Sequence, residues 1–285
     1  MLPISGFSRL SFVSHFDYRV FAERNAKLLT QIWLWHETLG NRPEPFSLNG
    51  ICDVCECQTA FAAKPKKLAV ETRFQYAVDW WGGTTCTCNL SNLDRAVLRV
   101  FFEAHDTGDR VYHVGHHSRF RQWLDERIPN LTSSQYEPGR QPGEVEAGIR
   151  YEDLTRLSFG DSQFSCIISM EILEHIPDYI GALREMARVL VPGGRALLTF
   201  PWLGRDTYEH VVRAEMMADG SVQHFLPPEF HGDPANPDGI LSFRSFGWRI
   251  LDEVRASGFS KSSAEFVFSP MNGYLLLNPV IVGVK

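Results

Sequence analysis

An α/β fold, with a mostly parallel sheet covered by helices on both faces, is predicted for residues 106–285, and three observations predict it. Short apolar runs closed by glycine or polar residues recur at Arg110–Gly115, Phe164–Met170, Arg195–Phe200 and Val280–Val284. Runs of this length suit strands buried on both sides. Between them lie segments with helical spacing, clearest at Ile180, Leu183, Ala187 and Leu190, which stops at Pro192-Gly193-Gly194. Strands and helices therefore alternate, the pattern that builds parallel sheets.

The remaining elements follow in chain order. Residues 1 to about 45 read as helical, with a dense apolar patch at Ile32, Trp33, Leu34 and Trp35 that Gly40-Asn41-Arg42-Pro43 ends. Residues 50–90 hold most of the cysteines. Ser91–Glu103 repeats Leu93, Val97, Val100 and Phe101 at helical spacing. Arg119–Arg127 is predicted as a helix with Phe120, Trp123 and Leu124 on one side, and Asn130–Tyr136 as a second strand. Glu137–Gly148, rich in Pro, Gly and charge, is predicted as a loop. Phe246–Ser257 reads as a helix ended by Gly258, and Glu265–Phe268 as a strand. Glu209–Leu241 breaks the alternation with His210, His224, His231 and the prolines 227, 228, 234 and 237. A loop that long is usually functional or disordered, and a lid-like insertion is expected at about 205–245. The division expected is an N-terminal helical, Cys-rich module over residues 1–105 and an α/β domain over 106–285.

The 285 residues, 44% of them hydrophobic, suffice for a large core. A formal net charge of −6 disfavours nucleic acid as the main partner. No apolar run is long enough for a membrane span, and the N-terminus does not read as a signal peptide, so the expected compartment is the cytoplasm.

The cysteines are grouped: Cys52, Cys55 and Cys57, then Cys86 and Cys88, with Cys166 apart. In a cytoplasmic chain clustered thiols are more often metal ligands than disulfides. Cys52-x2-Cys55 with Cys86-x-Cys88 offers four thiolates for a tetrahedral, structural Zn²⁺, and Cys57 could replace one of them. Ordinary buried thiols are the competing reading.

The stretch Tyr151–Tyr179 places acidic Asp153 before Leu154, then the apolar run, then Glu174-His175-Ile176. Leu183–Pro201 follows, a helix leading into Leu190-Val191-Pro192-Gly193-Gly194 and the next strand. These fixed offsets resemble the middle of the class I, type 11-like S-adenosylmethionine-dependent methyltransferases. The resemblance implies a Rossmann-like, seven-stranded sheet with S-adenosylmethionine as cofactor. It also implies that Asp153 hydrogen-bonds the adenine amine with Leu154 beside the ring, and that Ser169, Met170 and Glu171 lie next to the methionine part. The family's glycine-rich first turn is reduced to His113-Val114-Gly115-His116-His117-Ser118, so Gly115 alone is placed against the cofactor. The ribose-binding acid is best matched by Glu137, after Tyr136. Pro227–Pro234 and Phe246-Gly247-Trp248 resemble a bacterial subgroup with a cysteine-bearing N-terminal segment.

Glu171, Glu174 and His175 have offsets of three and one, which on a helix would share a face. Two carboxylates and an imidazole suit a divalent metal, and ubiquinone-pathway O-methyltransferases have a similar run; a packing or substrate-facing His175 is the alternative. His175, His231, Asp233 and His210 are the candidate bases, with a loop pinned by His231 and Asp233 as the competing reading. The function expected is O-methylation of a small molecule or glycan by direct displacement. Two alternatives stay open: N- or C-methylation, and a non-catalytic interaction protein that keeps the fold.

Overall fold

The computed structural model describes residues 9–68, 75–80, 84–115, 118–204, 206–233, 236–275 and 279–285. The chain divides into two compact units. The smaller comprises residues 1–12, 16–104 and 265–279, and the larger residues 13–15, 105–264 and 280–285. The division differs from a single cut near residue 105, because a C-terminal segment belongs to the smaller unit.

The first described element of the smaller unit is a strand, β1 (Arg9–Phe12), where the sequence suggested helix. Its Arg9 Nε and Ser11 hydroxyl donate to the buried Glu265 carboxylate, at 2.9 and 2.7 Å. Helices α1 (His15–Arg24) and α2 (Ala26–Gly40) follow, α2 burying Leu29, Ile32, His36 and Gly40 along one face. Strands β2 (Phe46–Cys52), β3 (Cys57–Ala63) and, further along, β6 (Thr84–Thr85) form a three-stranded antiparallel sheet. A small ribbon, β4 (Lys66–Lys67) with β5 (Tyr76–Ala77), lies between β3 and β6 in the chain.

Helix α3 (Asn92–Phe102) starts at Ser91 in a capping box with Asp94, an arrangement worth about 1 kcal/mol. On it the fully buried Arg95 lies over the rings of Phe61 and Tyr274 and donates to the Asn272 carbonyl at 2.6 Å. The cation is thus desolvated but partnered, the condition under which a buried charge is tolerated.

The larger unit carries the predicted α/β architecture. Its elements are β7 (Val111–Val114), α4 (Arg119–Asp125), β8 (Leu131–Gln135), β9 (Val145–Glu146), β10 (Ile149–Tyr151), β11 (Phe164–Met170), α5 (Tyr179–Val189) and β12 (Leu190–Thr199). After an insertion come α6 (Ile250–Ala256), β19 (Lys261–Val267), of which residues 261–264 belong to this unit, and β20 (Pro279–Val284), of which residues 280–284 do. Among the strands named here the hydrogen-bonded order is β19-β20-β12-β11-β7-β8-β10-β9, part of a nine-stranded sheet. Strands β10, β8, β7, β11 and β12 run parallel, and β20 antiparallel to β12.

This order is the seven-stranded sheet implied by the resemblance, with the short β9 added at one edge. Cys166, Ile167 and Ile168 of β11 are fully buried, as a central strand covered on both faces requires. Fully burying such an isoleucine stabilises the fold by about 1.5–3 kcal/mol. Helix α5 ends at Val189, so Pro192-Gly193-Gly194, expected to stop it, lies inside the following strand instead. Strand β12 begins at Leu190, with a register irregularity opposite Phe164 and Cys166.

The insertion is built, not a loop. It consists of three antiparallel ribbons: β13 (Val211–Val212) with β18 (Arg244–Ser245), β14 (Ala214–Met216) with β15 (Val222–His224), and β16 (Phe230–Asp233) with β17 (Asn236–Leu241). Where the chain leaves them, Gly247 is packed so closely that a Cβ would lie 2.4–2.6 Å from the carbonyls of Thr207, Tyr208 and Glu209. Backbone cannot yield as a side chain can. Gly247→Ala is therefore expected to destabilise the fold by about 3 kcal/mol, read by chemical denaturation.

Candidate active site

Strand order reverses between β7 and β11. The chain proceeds outward from β7 through β8 and β10, then returns to β11 and moves the other way to β12. In such sheets the crevice at the carboxyl ends of the two strands flanking the reversal is where ligands bind. The sequence-selected residues fall there. Gly115 follows β7 with φ +113°, a conformation that favours glycine, and among the described residues only the His113 ring comes within 4 Å of a Cβ placed on it. His116 and His117 lie outside the described residues.

Ser169 and Met170 close β11, and Glu171 follows with φ +54°, an uncommon conformation for a residue with a side chain. The hydroxyls of Ser169 and of Thr199, at the end of β12, are buried and make no hydrogen bond among the described residues. Buried hydroxyls are normally satisfied, so two at the same end of adjacent strands mark a place for a polar ligand.

Beyond β8 and β10 a cleft of about 220 Å³ is lined by Tyr136, Glu137, Asp153 and Arg156 among others. The structure thus brings together Glu137 and Asp153, chosen separately from the sequence. Glu137 is 3.5 Å from Arg140, which also pairs with Glu144 and Glu146. Asp153 Oδ1 accepts from the Thr155 amide at 2.9 Å and its hydroxyl at 2.7 Å, a turn that orients the carboxylate. Leu154 beside it is buried. The neighbouring Glu152 is structural: buried, it accepts from Arg150 and Ser158.

Past Glu171 the chain makes a 3-10 turn, Leu173–His175, instead of the helix that would have stacked Glu171 over Glu174 and His175. The divalent-metal set Glu171, Glu174 and His175 is therefore corrected. The ligand atoms that converge belong to Glu174, His175 and His231, all within 4.8 Å of one another, and Glu171 is not among them. Glu174 is fully buried. Its Oε1 lies 3.6 Å from His175 Nε2 and 3.5 Å from His231 Nδ1.

The insertion holds this group in place. The Phe243 amide donates to the Glu174 carbonyl at 2.8 Å, and the buried Arg244 donates to the carbonyls of Ile176 and Pro177. His175 Nδ1 is 2.9 Å from the Leu241 carbonyl and, since a carbonyl only accepts, carries the proton. His231 Nε2 is 3.0 Å from Glu229, which Arg213 pairs at 2.9 Å. The Glu174 carboxylate, against some burial and helped by Glu229, raises the His231 pKa to about 9.

Two other predicted bases have different standing. His210 is a pin: its Nε2 faces Glu253 at 2.7 Å and its Nδ1 accepts from the Gly247 amide at 3.0 Å, which leaves neither nitrogen for chemistry. Asp233 ends β16, and its side chain lies outside the described residues.

In the smaller unit the Sγ atoms of Cys52, Cys55, Cys86 and Cys88 lie within 4.8 Å of one another, the four chosen from the sequence. Cys52 and Cys55 sit at the β2–β3 turn, where Glu56 takes φ +53°. Cys86 and Cys88 sit in a turn closed by Asn89 N–H donating to the Cys86 carbonyl. Burial opposes ionisation of Cys86, but the Cys88 amide and the hydroxyls of Thr59 and Thr87 outweigh it and lower its pKa to about 6. Burial, reinforced by the neighbouring thiols, pushes Cys55 far up. Cys57 Sγ comes 3.2 Å from Cys55 but does not join the group of four.

A parallel sheet reversing at β7 and β11, with one antiparallel strand inserted beside β12, defines a class I methyltransferase architecture. Residues 109–198 match the family described as a methyltransferase domain. The chain is 29% identical over 197 residues to the demethylmenaquinone methyltransferase of Deinococcus radiodurans, covering 63% of this chain and 73% of that protein. It is 40% identical over 50 residues to the 27-O-demethylrifamycin SV methyltransferase of Amycolatopsis mediterranei, 18% of each chain. A Burkholderia thailandensis 1,6-didemethyltoxoflavin N1-methyltransferase, solved with S-adenosylhomocysteine, aligns at 16% identity and TM-score 0.41 over 79% of this chain and 95% of that one. Residues 109–198 thus carry a methyltransferase domain, and the sheet around them has the class I architecture of S-adenosylmethionine-dependent methyltransferases. Among the described residues no helix is long and apolar enough to cross a membrane.

Proposed function

We propose that the protein transfers a methyl group from S-adenosylmethionine to a hydroxyl of a small molecule or glycan. The observation that carries this reading is the buried Glu174 with two imidazoles, placed just beyond the end of β11, where the acceptor's hydroxyl would be activated. The residues fit the cofactor: Gly115 leaves room for close backbone approach, the Ser169 and Thr199 hydroxyls await partners, and Glu137 and Asp153 share a cleft. In this reading Asp153 accepts from the adenine amine with Leu154 against the ring, and Glu137 beside Tyr136 holds the ribose hydroxyls. Ser169, Met170 and Glu171 border the methionine end.

When bound, the cofactor supplies a methyl on a positively charged sulfur. As the oxygen–methyl bond forms, the sulfur–methyl bond breaks and its electron pair stays on sulfur. The trio draws off the hydroxyl proton, and much of the remaining catalysis is alignment of oxygen, methyl and sulfur. His231 and Asp233 stand on β16, so the insertion serves as the lid that completes the acceptor pocket.

In the smaller unit the four thiolates are a structural Zn²⁺ site. A tetrahedron with bonds of about 2.3 Å has edges of about 3.8 Å, and Cys55 Sγ and Cys86 Sγ are 3.6 Å apart. Four protein ligands leave no open position, so this metal orders the β2–β3 turn and takes no part in chemistry.

Incubation with methyl-labelled cofactor and panels of hydroxylated, amine-bearing and activated-carbon acceptors tests the reading. Label recovered in a methyl ether supports it, and label recovered only in N- or C-methyl products overturns the assignment of oxygen. Asp153→Ala is expected to weaken S-adenosylhomocysteine binding at least tenfold with the melting temperature of the free protein nearly unchanged, checked by calorimetry.

A further inference from the structure

We infer that Glu174, His175 and His231 together hold one first-row divalent cation, such as Zn²⁺, as three ligands of a tetrahedral site whose fourth position is open to the acceptor. This deepens the reading of the trio as the place where the acceptor is activated, and rests on it for the cation's role.

The argument begins with the hydrogens. His175 donates Nδ1–H to the Leu241 carbonyl, and His231 donates Nε2–H to the Glu229 carboxylate. With the outer nitrogens committed, both inner nitrogens, His175 Nε2 and His231 Nδ1, face the same carboxylate oxygen of Glu174. Glu174 is fully buried and its Oε2 makes no hydrogen bond among the described residues. Two imidazole nitrogens and a desolvated carboxylate converge on one point, an arrangement that needs positive charge there, either a proton on His231 or a metal cation that replaces it.

The spacing favours a metal over protons. A charge-assisted hydrogen bond would close to about 2.7–2.9 Å. The contacts are 3.5 and 3.6 Å, near the edge of about 3.4 Å expected between nitrogen and oxygen ligands of a tetrahedral site with bonds of about 2.0–2.1 Å. The surroundings agree, because metal-bound histidines donate their other N–H to a carbonyl or carboxylate that fixes the ring. Leu241 and Glu229 occupy those places, and Arg213 holds Glu229. Two imidazoles with one carboxylate select a transition metal over Mg²⁺. Three protein ligands leave a position where an acceptor hydroxyl could bind and lose its proton more readily.

Titration of the purified full chain with Co²⁺ alone, followed by visible absorption, tests the inference. One equivalent should develop the ligand-field bands of a tetrahedral nitrogen–oxygen site without a thiolate charge-transfer band, which separates this site from the cysteines. Glu229→Gln should weaken binding about 10–100-fold. Glu174→Gln and His231→Ala should abolish the bands while circular dichroism stays unchanged; His231 is partly exposed, so its truncation leaves the fold intact. Absence of the bands in the wild-type protein, or a His231→Ala variant that binds Co²⁺ as tightly, overturns the inference. A thermal shift with S-adenosylhomocysteine on the same samples separates the two proposals. Cofactor-product binding without Co²⁺ binding leaves the methyltransferase reading standing and refutes the metal, with His175 Nε2 then acting as an unassisted base. Co²⁺ binding without cofactor-product binding does the reverse.

Discussion

His175→Ala is expected to lower kcat by about 10²–10⁴-fold, while affinity for S-adenosylhomocysteine stays within a few-fold of the parent. Both halves follow from position. The His175 ring lies beyond the end of β11 against Glu174 and His231, whereas the residues assigned to the cofactor are Gly115, Glu137, Asp153 and Ser169. Loss of turnover with cofactor affinity retained places the histidine on the acceptor side. His175→Gln is a useful companion, since an amide can keep a hydrogen bond to the Leu241 carbonyl but cannot take a proton. If rates in both variants match the parent, His175 is a packing residue. Single-turnover kinetics with calorimetric cofactor affinities provides the measurement.

Cys86→Ser is expected to remove the zinc and unfold the three-stranded sheet of the smaller unit. Cys86 is buried in a small cluster with Cys52 and Phe61, and its thiol is surrounded by groups that favour the thiolate. A serine leaves three thiolates and a poor fourth ligand. Structural zinc supplies about 10–16 kcal/mol in small modules, so most of the stability of β2, β3 and β6 would be lost with it. Zinc content should fall from about one equivalent to near zero, with faster amide exchange over Phe46–Ala63. Cys57→Ser is the control: Cys57 is outside the group of four, and its zinc content should match the parent. Parent-like zinc in Cys86→Ser with loss in Cys57→Ser would reassign the ligand set.

Long buried elements were the legible ones. Strand β11 was bounded to the residue because a run of apolar side chains flanked by polar ones has one interpretation in a sheet covered on both faces. Helix α3 was bounded by the recurrence of Leu93, Val97, Val100 and Phe101 at helical spacing, and the structure adds the Ser91 cap. Strand β10, three residues long, gave no period to read. The insertion was misread because its strands are two to six residues long and rich in Pro, Gly and His, the composition of a loop. Membership of residues 265–279 in the smaller unit was invisible for another reason: it depends on contacts across the whole chain, such as Asn272 with Arg95 and Ile51.

The site follows the same division. Glu137 and Asp153 were chosen through the family resemblance, and the structure lines one cleft with both. The four cysteines could be found because metal geometry restricts spacing. His231 was singled out as a base, but its meeting with Glu174 and His175 was not predictable, since a 3-10 turn replaced the helix that would have offered Glu171. A positive φ at Glu171 is what redirects the chain there.

Calorimetric titration of the full chain with S-adenosylhomocysteine tests the central claim most directly. One site per chain is predicted, abolished or much weakened in Asp153→Ala, with the melting temperature of the parent rising as ligand is added because only the folded chain binds it. No heat of binding and an unchanged melting temperature at millimolar ligand would show that the crevice between β7 and β11 does not accept the cofactor.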